Sequence, residues 1–240
     1  LNKDGSYQKH QKVNFNDGAC YLSIDKENRH ILGVSYRNGR LNVYPLDDNG
    51  IPGKAITTID EGKREAHCVL LPPDGKNIYV PYVKGNLALL QYAYDGKRGK
   101  ITALEPKDAK PPLGSGPRHM AYHPTMPMVY LSNEQGIGLS SYRREANGQL
   151  KVEQDLSILP PGMSKIGLSA SDLLITPNGK FLFAGLRGHR QDFDRISRYR
   201  VLKNGKAEFI GLTKADKIPW GLTLSPDGKF LLVSATSGAS

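Results

Sequence analysis

Apolar and polar residues alternate along this chain in short runs, and the runs recur. Pro117 to Glu134, PRHMAYHPTMPMVYLSNE, reads as two short strands joined by a turn at His123–Met128. Variants of it are AHCVLLPPDGKNIYVPYV from Ala66, ASDLLITPNGKFLFAGLRG from Ala170 and PWGLTLSPDGKFLLVSATS from Pro219, with a weaker copy, ACYLSIDKENRHILGVSY, from Ala19. The turn prolines Pro73, Pro124, Pro177 and Pro226 lie 51, 53 and 49 positions apart, and Lys26 holds the matching place in the first copy. Pro-Asp-Gly or Pro-Asn-Gly between two alternating runs predicts a hairpin, because proline presets φ and glycine takes the left-handed conformation.

Further strands are predicted after each hairpin, over Arg40–Leu46, Leu87–Tyr94, Gly138–Arg143 and Arg195–Val201. Each meets a polar turn (DDNG, YDGKRG, REANG, LKNG) and then another short apolar run. Four strands per unit of about 50 residues is the pattern of a β-propeller blade, and no helical periodicity of useful length competes with it. The predicted fold is an all-β propeller forming one domain over residues 1–240, with units opening near 19, 66, 117, 170 and 219. Leu1–Asn14 reads as the last strand of a preceding blade, and the fifth unit stops at Ser240 after two strands. A sheet left open mid-blade exposes pairing edges, so the chain is read as incomplete at both ends, showing about four and a half to five blades.

Composition narrows the picture only a little. The 26 glycines and 16 prolines, beside 38% hydrophobic residues, suit many short strands and turns. No apolar run is long enough to span a membrane. Cys20 and Cys68 are 48 positions apart in neighbouring units and are read as buried free thiols rather than a disulfide framework. The net charge of +10 favours anionic partners. Its lysines and arginines, however, are scattered over turns instead of forming the basic stripe with interleaved aromatics of a nucleic-acid groove, so no nucleic-acid partner is expected. The oligomeric state is open, as is the compartment, with the cytoplasm favoured over secretion or the periplasm.

The repeat lets residues be compared by position. Six residues before each turn proline stand Cys20, His67, Arg118, Ser171 and Trp220, and ten residues after it Tyr36, Val83, Glu134, Arg187 and Thr236. The first position opens the innermost strand and the second closes its antiparallel neighbour, so both fall at one end of the blade, facing the central pocket. His67, Arg118, Glu134 and Arg187 are therefore predicted to converge from three consecutive blades. Two guanidiniums can grip a carboxylate or phosphate through paired hydrogen bonds, or stabilise an oxyanion on a carbonyl. A histidine and a glutamate beside them can supply acid–base catalysis. The plainer alternative is that Arg118 and Glu134, on neighbouring strands, simply pair with each other.

AHCVLLPPDGKNIYVP, GSGPRHMAYHPTMPMVYLSNE, SASDLLITPNGKFLFAGLRG and PWGLTLSPDGKFLLV together resemble successive blades of the seven-bladed β-propeller lactonase family. That family includes propeller-type 6-phosphogluconolactonases and 3-carboxy-cis,cis-muconate lactonizing enzymes. The resemblance covers nearly the whole chain and implies one blade before Leu1 and more than one after Ser240. The family's site pattern falls on His67, Arg118, Glu134 and Arg187, the four residues that blade position singles out. The first unit departs from it, with Cys20 and SYRNG. The resemblance implies hydrolysis of a sugar-acid lactone, above all 6-phosphogluconolactone, without cofactor or metal. Arg118, Arg187, His119 and Asn133 are the expected substrate-binding set, and His67 or Glu134 the residue that activates water.

No Gly-x-Ser-x-Gly elbow supports a serine nucleophile. His119 and His123 lie roughly 13 Å apart if both sit on one extended strand, too far to share a metal ion. Three other functions stay open. A muconate-type cycloisomerase would use the same residues. A calcium-dependent lactonase would draw on Glu134, Asn133 and Asp172. A non-catalytic binding propeller would need none of them.

Overall fold

In the computed structural model the alternating runs become antiparallel strands, and the one helical element among the described residues is a single 3-10 turn at Lys84–Asn86. The structure describes residues 4, 6, 13, 15, 17–159, 161–190 and 192–237. The first sheet contains β1 (Tyr21–Ile24), β2 (His30–Val34), β3 (Leu41–Pro45) and β4 (Thr57–Ile59). The second contains β5 (Asn77–Tyr82), β6 (Ala88–Asp95) and β7 (Lys100–Asp108). The third is β8 (Pro117–Tyr122), β9 (Met128–Asn133), β10 (Gly138–Arg144) and β11 (Leu150–Ser157). The fourth is β12 (Leu168–Ile175), β13 (Phe181–Gly188), β14 (Arg195–Val201) and β15 (Ala207–Lys214), and the fifth β16 (Lys217–Leu224) with β17 (Leu231–Ser237). Within each sheet the strands pair in sequence order, and the chain is an all-β propeller of four blades and a fifth, two-stranded sheet. The strand expected over Leu1–Asn14 falls almost wholly outside the described residues.

The second blade differs from expectation at its inner edge. The segment from Ala66 is not a continuous strand there but two isolated bridges, Ala66 to Tyr82 and Leu70 to Tyr79. The reason is proline. His67 N–H donates to the Pro81 carbonyl at 3.0 Å, but Pro81 has no N–H to return, and Pro72–Pro73 end the segment.

The core lies between blades rather than within one. Leu32, Val43, Val69 and Val80 are buried together between the first two blades. Cys68, Leu89, Met120 and Leu131 fill the next gap, and Tyr130, Leu139, Leu173 and Leu182 the one after. Adjacent blades are also latched by tyrosine hydroxyls at their hidden faces. Tyr82 Oη donates to the Gly39 carbonyl at 2.9 Å, and Tyr130 Oη to the Gly205 carbonyl at 2.8 Å. Gly205 has a φ of +81°, and a Cβ there would press to 2.6 Å from the Met128 side chain, so the outer turn of the fourth blade can approach the third only as glycine.

Tyr130→Phe removes one latch and leaves the Gly205 carbonyl without its donor. The expected cost is about 1–2 kcal/mol, which lowers Tm by roughly 2–4 °C per kcal/mol in a chain of this size. Thermal denaturation beside wild type measures it, and an unchanged Tm would show that the latch contributes nothing.

Candidate active site

The site is placed by a defect that the repeat carries. In the third blade the pairing of β8 with β9 slips by one residue between Pro117 and Met120. The fourth slips between Ala170 and Leu173, and the fifth between Pro219 and Gly221. The two bridges of the second blade show the same one-residue offset, whereas β1 and β2 pair without a slip. A β-bulge re-aims side chains that would otherwise alternate between faces. Here it lets consecutive residues, Arg118 with His119 and Ser171 with Asp172, both serve the axis of the molecule.

His67, Arg118, Glu134 and Arg187 line one cleft of about 490 Å³, together with Cys20, Tyr36, Lys84, His189 and Trp220. Glu134 Oε2 lies 2.9 Å from Arg118 Nε and 3.5 Å from Arg187 Nη2. Arg187 Nη2 also donates to the Ala170 carbonyl at 2.8 Å. The ion pair that the plainer sequence reading allowed is thus present, but it is shared between two blades. The two guanidiniums are 1% and 4% exposed, and neither is satisfied by its neighbours. Arg118 Nη1 and Arg187 Nε are buried without a hydrogen-bond partner among the described residues, and Arg118 Nε is close to the carboxylate without being aimed at it. Burial pulls both arginines below the ordinary guanidinium range, Arg187 to about 10 with Arg118 adding repulsion. Trp220 covers the pair, its ring centroid 4.7 Å from the Arg187 guanidinium carbon and 5.5 Å from that of Arg118.

His67 forms another wall. Its ring meets Tyr36 edge-on at 5.6 Å and His119 at 5.0 Å. Burial, then the charge of Arg118 and the neighbouring His119, push its pKa down to about 3, so it is neutral at physiological pH. Its Nδ1 is buried and unpartnered among the described residues. His119 stands behind it, outside the cleft lining, with Nδ1 2.7 Å from Asp172 Oδ1. Asp172 Oδ1 accepts from the Leu173 N–H at 2.8 Å, and Oδ2 from the Leu222 N–H at 2.7 Å. Burial raises the Asp172 pKa, but the hydrogen bond from His119 and those two N–H groups outweigh it and keep the carboxyl below its usual range.

The remaining expected residues separate clearly. Asn133 is 2% exposed and turned into its own blade, its Nδ2 donating to Ser140 Oγ at 2.8 Å and Asp155 Oδ1 at 2.9 Å. It is absent from the cleft lining, as is His119; Asn133 Nδ2 is taken up by Ser140 and the exposed Asp155, and His119 Nδ1 by the half-buried Asp172. His123 sits at the turn, its Nδ1 accepting from the Thr125 and Met126 N–H groups. Cys68 is buried, as read, but Cys20 is exposed, because its position in the first unit opens on the cleft. Among the described residues, no three His, Cys, Asp or Glu side chains are grouped to hold a metal ion. Tyr36 and Trp220 join the cleft from the same two repeat positions that identified the core set. Lys84 and His189 lie just beyond those positions, in loops whose course the repeat does not prescribe.

Comparison with known proteins places the chain. A family model described as a seven-bladed β-propeller lactonase matches residues 2–239. A 6-phosphogluconolactonase of Klebsiella pneumoniae is 30% identical over 216 residues, 89% of this chain and 62% of that protein. A 6-phosphogluconolactonase of Pectobacterium carotovorum is 29% identical, over 88% of this chain and 62% of that protein. The solved periplasmic gluconolactonase of Pseudomonas aeruginosa superposes with a TM-score of 0.78 at 23% identity, over 90% of this chain and 62% of that one, a likeness that speaks for the fold. The chain spans somewhat under two thirds of the length of these relatives. With this match and the blade order observed, the chain belongs to the seven-bladed β-propeller lactonase family.

Proposed function

We propose that the protein hydrolyses a sugar-acid lactone, with 6-phosphogluconolactone as the substrate, and that no metal ion takes part. The carrying observation is the Arg118–Glu134–Arg187 cluster, whose buried guanidinium N–H groups lack partners beside an open cleft. Unpaired buried donors are costly unless a ligand oxygen meets them. A lactone carbonyl supplies such an oxygen, and it becomes an oxyanion in the tetrahedral intermediate, where fixed donors gain most. The relatives named 6-phosphogluconolactonase direct the choice of substrate.

Glu134 is the base in this reading. Its Oε2 is held between the arginines, while Oε1 has no partner among the described residues. His67, at about 3, is too weakly basic to hold a proton at neutral pH. Water attacks the carbonyl carbon and gives its proton to Glu134, and the carbonyl π electrons move to the oxygen facing Arg118 and Arg187. The intermediate collapses by breaking the bond to the ring oxygen, which takes the proton back from Glu134, leaving the open-chain hydroxy acid. Neutral His67 orients the water or the departing hydroxyl.

Hydrolysis of 6-phosphogluconolactone by the full-length protein, with chelator present and spontaneous opening subtracted, tests this reading. Glu134→Gln is expected to lower kcat by about 10²- to 10⁴-fold, and Arg118→Ala by about 10²- to 10³-fold. Activity that vanishes with chelator, or that is equal in all three proteins, would refute the metal-free reading or the site respectively.

His67 makes a separate prediction about pH. Its folded pKa lies below the unfolded value near 6.5, so between those values the unfolded chain binds the extra proton and stability falls as pH is lowered. From pH 6.5 towards 4, denaturant unfolding of wild type should lose stability more steeply than that of His67→Gln. Parallel slopes would show that His67 is not held neutral by the fold.

A further inference from the structure

The cleft has two cationic poles, and only one of them is engaged with Glu134. Arg118 and Arg187 form the buried pole. Lys84 forms the other, at the rim, with its side chain 53% exposed. Its ammonium lies 5.4 Å from the centroid of the Tyr36 ring, and 3.9 Å from Glu65 Oε1, a long contact that leaves the amine accessible. Lys84 is also held where it is by its backbone. It has a φ of +53°, in the left-handed region that a side-chain-bearing residue seldom occupies. Its N–H donates to Gln135 Oε1 at 3.1 Å, across to the residue that follows Glu134. Gln135 in turn lies against Gly116, where any Cβ would collide with its carboxamide. The backbone that carries the rim cation is therefore tied to the blade of the buried pole by a contact between two blades.

We propose that Lys84 is the phosphate anchor of this cleft, holding the 6-phosphate of a phosphorylated sugar lactone at the rim while Arg118 and Arg187 receive its carbonyl oxygen. The inference rests on the lactone-hydrolysis reading above and assigns the two ends of the substrate. Electrostatics decides the direction. A phosphate on the arginine pair would place its charge against the Glu134 carboxylate, which both guanidiniums already contact, whereas a carbonyl is neutral until the reaction begins. A phosphate at Lys84 keeps its outer oxygens in water and meets an ammonium, which binds it as a compact point charge. In the substrate, the phosphate and the carbonyl are separated by one ring and one methylene, and Lys84 and the arginine pair line the same cleft of about 490 Å³.

Calorimetric titration of the full-length protein with 6-phosphogluconate and with gluconate, beside steady-state kinetics on the two corresponding lactones, tests the assignment. Lys84→Met is expected to weaken 6-phosphogluconate binding about 10- to 100-fold, the usual worth of a charged hydrogen bond, and to leave gluconate binding unchanged. KM for 6-phosphogluconolactone should rise by the same factor with kcat preserved, kinetics on unphosphorylated gluconolactone should not move, and Lys84→Arg should resemble wild type. Wild type that fails to bind 6-phosphogluconate, undiminished binding in Lys84→Met, or equal losses with both ligands would overturn the anchor even with lactonase activity intact. Lys84-dependent binding of 6-phosphogluconate without turnover of either lactone would instead overturn the hydrolysis reading and leave the anchor in place.

Discussion

The axial side of this molecule depends on one half-buried carboxylate, Asp172, whose side chain is 20% exposed. A carboxylate removed from water must have its oxygens satisfied, or it destabilises the structure that encloses it. Asp172 meets that demand from three blades at once: His119 of the third, the Leu173 N–H of its own, and the Leu222 N–H of the fifth. A parallel line of hydroxyls, from Ser132 on β9 to the Ser171 carbonyl on β12 and from Ser171 to the Pro219 carbonyl on β16, ties the same three sheets. Hydrophobic gaps between blades are tolerant of small rotations. These directional bonds are not, and they hold the inner strands in one mutual orientation. His119 is therefore a support for the ring of His67 and not a wall of the cleft.

On that frame the cleft concentrates charge. Glu134 is placed by β9 so that Oε2 serves guanidiniums from two blades, and the backbone carbonyl of Glu134 also accepts from the Ala170 N–H at 3.1 Å. The same strand end thus carries the carboxylate and a blade-to-blade bond, which fixes the separation of Arg118 and Arg187. Two like charges share this space because Glu134 lies between them and the Trp220 ring faces both. The cluster has a net positive charge and spare donors, the electrostatic condition for stabilising an oxyanion without rearrangement at the moment of reaction.

Much of this was legible from residue order. The hairpin prolines and the apolar alternation located the strands, and Arg195–Val201 agrees with β14 residue for residue. Comparison of repeat positions drew out His67, Arg118, Glu134 and Arg187, because a propeller turns equivalent sequence positions into neighbours around one axis. Three things escaped. The bulge that re-aims Arg118 with His119 leaves no composition signal, since it is an extra residue and not a residue type. Asn133 and His119 resemble site residues by adjacency, yet Asn133 Nδ2 is taken up by Ser140 and Asp155 and His119 Nδ1 by Asp172. Lys84 sits in a left-handed turn whose position depends on Gln135 of the next blade, a contact across 51 positions.

Residue order by itself thus determined what local periodicity and repetition can encode: antiparallel strands, blade units, and the two positions in each unit that face the axis. Tertiary structure decided which of those residues touch and which groups they have free. A side chain's chemistry depends on the partners that compete for it. Glu134 between two arginines, neutral His67, and His119 committed to Asp172 acquire their characters only when separate blades enclose them and exclude water.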